Sequence, residues 1–166
     1  MNREERISRI LELVKCAGGS INSRKKIHKL IYLLQEKNEE FDQNYTFYNY
    51  GVFSPTLAND LDYAVRLDYL QENVEKDKEY KSYVYALGRK QMEGIEFDKE
   101  IKNEDTFNML IDKEPRILEV LSTIVYLHRN HYSRNKLKAK LELLKPNLHE
   151  HYEKAFELAK LIFEIE

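Results

Sequence analysis

Between Ser23 and Glu72 the apolar period of the chain changes from 3.6 residues to 2 and back again. Apolar residues at i, i+3, i+4 and i+7 line one face of a helix, whereas alternation marks a strand. Ser23 is placed to N-cap a helix running to about Lys37, striped by Ile27, Leu30, Ile31 and Leu34. Tyr45-Thr46-Phe47-Tyr48-Asn49-Tyr50 carries aromatics in both alternating sets, the pattern of a strand covered on both faces, and Gly51 is expected to end it. Ser54 then caps a helix with Pro55 at its first position, where a missing N–H is harmless. Leu57, Leu61, Ala64 and Val65 stripe that helix.

The flanks extend the pattern. Glu4–Ala17 reads as a helix striped by Ile7, Ile10, Leu11 and Val14, stopped by Gly18-Gly19. Tyr69–Val74 and Tyr80–Leu87 read as two strands around a charged turn at Glu75–Glu79. Helices follow at Asp105–Asp112, Pro115–Arg129, Ser133–Leu144 and, beyond Pro146, about Asn147–Ile165. The expected fold is mainly α with a small β-hairpin: a winged-helix-like N-terminal module over residues 1–90, then a helical C-terminal part over 91–166, either packed with it as one domain or a helical appendage to it.

Of the 166 residues, 42% are apolar and 34% charged, which supports a packed core. A net charge of −2 argues against a globally basic nucleic-acid binder and leaves local patches. The single cysteine, Cys16, permits no internal disulfide and suits the cytoplasm, and no apolar run reaches the length of a membrane span. The residues offer little to catalysis. Cys16 lacks a hydrolase context, the glycines form neither a GxGxxG nor a Walker A loop, and the pairs His128/His131 and His149/His151 lack the further ligands a metal needs. A non-enzymatic protein with no catalytic residue, metal or cofactor is expected.

The stretch Arg24-Lys25-Lys26-Ile27-His28-Lys29-Leu30-Ile31-Tyr32-Leu33-Leu34, followed by Phe47-Tyr48-Asn49-Tyr50-Gly51-Val52-Phe53-Ser54-Pro55, resembles the YwgA-like family of uncharacterised bacterial proteins. More loosely it is similar to the Panacea domain of SocA-type antitoxins. In both, a basic helix of the form R-K-K-x-x-K-L-x-Y precedes a Y-G-P-x-S-P turn. Here Val52 stands where those families usually have proline. The resemblance spans about Ile21–Glu72. It implies a winged-helix-like fold and no agreed activity, while the Panacea relatives imply protein partners, including toxins and proteolytic machinery.

Two kinds of partner remain open. For DNA, phosphate contacts are expected from Arg24, Lys25, Lys26 and Lys29, and base contacts from Thr56, Asn59 and Arg66 on the third helix. Arg129–Lys145 forms a second basic patch. Against this stand Asp60, Asp62 and the acidic run Glu36–Asp42, which would repel phosphates, and the reading of the patches as ordinary solvated charge. For a protein partner, Tyr48, Phe53 and Asp60 are the candidate contacts. The last helix has a wide apolar arc, expected either to form a homodimer or to pack on the chain's own helices.

Overall fold

The computed structural model describes residues 1–48, 51–76, 81–92 and 100–166. Helix α1 (Arg3–Cys16) leads to strand β1 (Ser20–Asn22) and helix α2 (Arg24–Gln35). A two-stranded hairpin, β2 (Thr46–Tyr48) and β3 (Gly51–Phe53), precedes α3 (Pro55–Arg66), after which β4 (Leu70–Lys76) and β5 (Lys81–Leu87) form a second hairpin. The remainder is α4 (Glu104–Ile111), α5 (Pro115–Arg129), α6 (Arg134–Leu144), a 3-10 turn at Pro146–His151 and α7 (Tyr152–Phe163). The chain is mainly helical with small antiparallel sheets, as expected.

Helix starts follow their local chemistry. Asn2 and Glu5 close a capping box on α1, each side chain taking the other residue's backbone N–H. Ser54 accepts from Leu57 N–H and Pro55 opens α3. Ser23 caps α2 by accepting from Lys26 N–H. It does so at φ +77°, an uncommon conformation for a residue with a Cβ.

β5 lies between β1 and β4 in the order β1-β5-β4, with Ile21 opposite Tyr85 and Asn73 opposite Val84. The sequence reading omitted β1, whose three residues become a strand only through pairing with β5. Nor is Tyr45–Tyr50 the single strand, ended by Gly51, that its alternation predicts. Thr46–Tyr48 instead pairs with Gly51–Phe53, with Phe47 opposite Val52, so Gly51 begins the returning strand. Asn49, Tyr50 and most of the expected charged turn lie outside the described residues.

The core is contiguous across both parts of the chain, from Ile7 in α1 through Leu34 in α2 to Leu121 in α5 and Ile162 in α7. Eight consecutive residues of α2, Ile27 to Leu34, are buried, far more than one apolar stripe. A helix is buried all round when it is enclosed on every side, and α2 packs against β3, α4 and α5. The apolar arc of α7 is used within the chain: Tyr152, Ala155, Leu158, Ala159 and Ile162 are buried, chiefly on α5, and Leu161 remains exposed. The helix therefore packs on the chain's own helices. Among the described residues no helix is long and apolar enough to cross a membrane.

Candidate functional site

The first turns of α2, the β2–β3 hairpin, β5 and the start of α5 line a cavity of about 870 Å³ that is open to solvent on one side. It takes side chains from both halves of the chain, with Arg24, His28 and Lys29 on one side and Arg116 and Glu119 on the other. Phe53 stacks on His28 with ring centroids 4.9 Å apart and an interplanar angle of 10°, and Tyr48 meets Phe53 edge-on at 5.9 Å.

The expected basic patch does not stay together on the surface. Lys29 is buried and donates from Nζ to the carbonyl of Val52 at 2.6 Å. Burial lowers its pKa to about 8, against the pull of Glu119 and with the help of Lys145. Arg24 is half-buried and ties α2 to α3, donating to Asp62 at 2.7 Å and to the Ala58 carbonyl at 2.9 Å. Lys26 is half-buried, and burial lowers its pKa. Lys25 alone of the four is exposed.

The second patch is likewise divided. Arg129 pairs with Glu36 at 2.7 Å, Arg134 covers the Phe156 ring, and buried Lys145 holds Glu119 at 2.7 Å. The two patches nevertheless meet at Gly51, which adopts φ +101°. A Cβ there would lie 3.5 Å from both Lys29 Nζ and Thr123 Oγ1, and 3.7 Å from Lys145 Nζ. No spacing in the sequence joins Lys29 to Lys145.

His28 is the residue that sequence reasoning misses, since nothing in the sequence singles it out within the stretch Arg24–Leu34. It is 3% exposed. Its Nδ1 accepts from the Ser54 backbone N–H at 3.4 Å, which assigns the ring proton to Nε2. Among the described residues that buried Nε2 has no partner. Burial, with Lys29 and Arg24 nearby, pushes the His28 pKa from 6.5 down to about 3.

A pH prediction follows from that shift. Below about pH 6.5 the unfolded chain protonates His28 while the folded chain stays neutral to about pH 3, so stability falls as pH drops through this window. The slope from this residue should approach ~1.4 kcal/mol per pH unit. Denaturant unfolding between pH 7 and 4.5 should show a shallower decline for His28→Asn than for the parent, and equal slopes would refute the assignment.

Asp60 lies elsewhere, and not on the surface expected of a protein contact. It is 1% exposed, accepts from Arg6 at 2.8 and 3.1 Å and from Gln43 at 3.0 Å, and has Arg3 at 3.9 Å. Asn59 and Arg66 are exposed on α3, and Thr56 is half-buried. Tyr48 is 60% exposed and Phe53 37%, so the hairpin does present aromatic surface, while Phe47 packs on Tyr126. Cys16 is exposed and donates to Glu12, and burial of its thiol followed by the Glu12 charge raises its pKa, opposite to the shift of a reactive thiolate. Among the described residues no three His, Cys, Asp or Glu side chains are grouped to hold a metal ion.

No protein-family model matches the chain. It is 32% identical over 114 residues to the uncharacterized protein YwgA of Bacillus subtilis (strain 168), an alignment covering 66% of this chain and 67% of that protein. The chain belongs to the YwgA family. The features above are therefore those of a YwgA-family member: a basic α2 turned inward, an aromatic hairpin folded over it, and a third helix whose carboxylates are held by arginines of α1 and α2.

Proposed function

We propose that this YwgA-family protein is a non-enzymatic regulatory binding protein of winged-helix type that engages duplex DNA through α3 and the β4–β5 hairpin. The observation that supports the reading is the element order helix, strand, helix, hairpin, helix, hairpin, which is that of a winged helix with the β2–β3 hairpin inserted between its second and third helices, together with the strand order β1-β5-β4. In such an arrangement the third helix enters the major groove and its N-terminal half meets the base edges. Here that segment offers Thr56 and the exposed Asn59, with exposed Arg66 further along.

The charge objection raised by α3 is also reduced. Asp60 is enclosed by Arg6 and Gln43, and Asp62 is held by Arg24. The phosphate contacts differ from those read in sequence: exposed Lys76 and Lys81 of the β4–β5 hairpin join exposed Lys25 in place of the buried members of the patch.

Fluorescence anisotropy with a mixed-sequence duplex tests the proposal. Binding at ~50 mM salt should weaken by orders of magnitude by ~200 mM. The Asn59→Ala, Arg66→Ala double variant should bind at least about tenfold more weakly. No duplex binding at ~50 mM salt would overturn the reading, since phosphate contacts are strongest there.

A second reading, a protein-binding adaptor of antitoxin-like type, is favoured by the exposed aromatic rings of Tyr48, Phe53 and Tyr83. Under that reading Tyr48→Ala abolishes capture of the partner while leaving the fold intact.

A further inference from the structure

We propose that the cavity under the β2–β3 hairpin binds a small aromatic anion: a flat ring carrying one carboxylate or phosphate group. The proposal stands on the cavity alone and does not rest on the DNA-binding reading.

Size is the first argument. About 870 Å³ is ample for a single small molecule, whose sites typically span ~300–1,000 Å³. The cavity is also built from parts distant in sequence, so it is a product of the fold rather than a local crease.

Charge is the second argument. Lys25, Lys81 and Arg116 are exposed cations along its lining; Lys29 lies deeper, as does Arg24, which is already paired with Asp62. The lining carboxylate among the described residues is Glu119, and it is already held by Lys145 at 2.7 Å. A cationic occupant would be repelled, and a neutral one would gain nothing from the cations.

The third argument is the shape and chemistry of the wall. The parallel stack of Phe53 on His28, with Tyr48 edge-on to Phe53, offers ring surface against which another flat ring extends the stack. His28 lines the same cavity, is 3% exposed, and has no acceptor for its Nε2–H among the described residues. A buried donor is ordinarily satisfied. An anionic oxygen entering beside Phe53 supplies the missing acceptor, and the neighbouring cations favour that oxygen over a neutral one. No single feature selects the ligand class. Ring surface, an unsatisfied donor and surplus positive charge in one cavity do.

The test is titration calorimetry of the full chain with benzoate and with adenosine monophosphate, and with their uncharged counterparts benzyl alcohol and adenosine. At least one of the two anions should bind with Kd below about 1 mM. Its uncharged counterpart should bind at least about tenfold more weakly, and added salt should narrow that gap. Preference for benzoate assigns a carboxylate ligand, and preference for adenosine monophosphate a phosphate ligand. The Lys81→Ala, Arg116→Ala double variant changes two exposed residues, and its unfolding curve checks that the fold is intact. It should lose about tenfold in affinity for the anion. Absence of binding by both anions up to about 10 mM overturns the proposal. So does equal affinity for the charged and uncharged forms, or unchanged affinity in a folded double variant.

Discussion

Glu39→Ala should lower the free energy of unfolding by about 4 kcal/mol, because it strands a buried guanidinium. The Glu39 side chain is 1% exposed and that of Arg9 6%, with 3.1 Å between them. Arg9 also donates to the Glu40 carbonyl at 2.9 Å and lies over the ring of Phe41. The second Glu39 oxygen accepts from the Asn103 backbone N–H at 2.6 Å, at the start of α4. One carboxylate therefore joins α1, the segment after α2 and the C-terminal helices. Two charges taken out of water gain little net stability as a pair, but either one left alone is costly. Arg9→Met combined with Glu39→Leu should therefore recover most of the loss. The more accessible pair Arg24–Asp62, at 33% and 61%, supplies the contrast, since Asp62→Ala should cost under about 1 kcal/mol. Chemical denaturation of the variants measures all three, and a loss below about 1 kcal/mol for Glu39→Ala would refute the account.

Gly88→Ala should be similarly damaging, at about 3 kcal/mol, for a steric reason. A Cβ on Gly88 would lie 2.0 Å from the Asp68 carbonyl oxygen, 2.5 Å from its carbon and 2.7 Å from the carbonyl carbon of Tyr69. All three atoms are backbone, so no side chain can swing aside. The crowding follows from two hydrogen bonds that draw the end of β5 onto the link between α3 and β4: Gly88 N–H to Tyr69 O at 2.8 Å and Lys90 N–H to Asp68 O at 3.0 Å. Thermal unfolding should show a large drop in Tm, and hydrogen exchange should show β4 and β5 losing protection first. Parent-like stability would mean that the two segments separate readily.

The helices were legible because each signals itself within a few residues. Ser54-Pro55 opens α3 where expected, and Pro115–Arg129 is helical to its expected ends. What sequence did not reveal depends on distant partners. β1 is a strand only because Ala86, Tyr85 and Val84 lie opposite it. Asp60 read as a surface charge because nothing local to it shows that Arg6 and Gln43 close over it. Lys29 reads as a phosphate contact in sequence, since neither the Val52 carbonyl that accepts its hydrogen bond nor the α5 carboxylate beside it is visible from α2. The cavity was not foreseen for the same reason: its cations come from three segments, and His28 differs from an ordinary surface imidazole only in what encloses it.

The pairing of β1 with β5 also bears on how the chain is made. Ser20 finds its partner in Ala86, so β1 leaves the ribosome long before any strand exists to hold it. Translation at ~5–20 residues per second leaves it waiting for several seconds. The apolar girth of α2 waits longer still, until α5 has emerged. Long-range closure of this kind slows folding, and a nascent chain halted before Arg129 would display the apolar residues of α2 on an open flank. Such a chain is a natural client for chaperones that hold unfolded polypeptides, and the protein's yield in a cell should depend on them more than its modest size suggests.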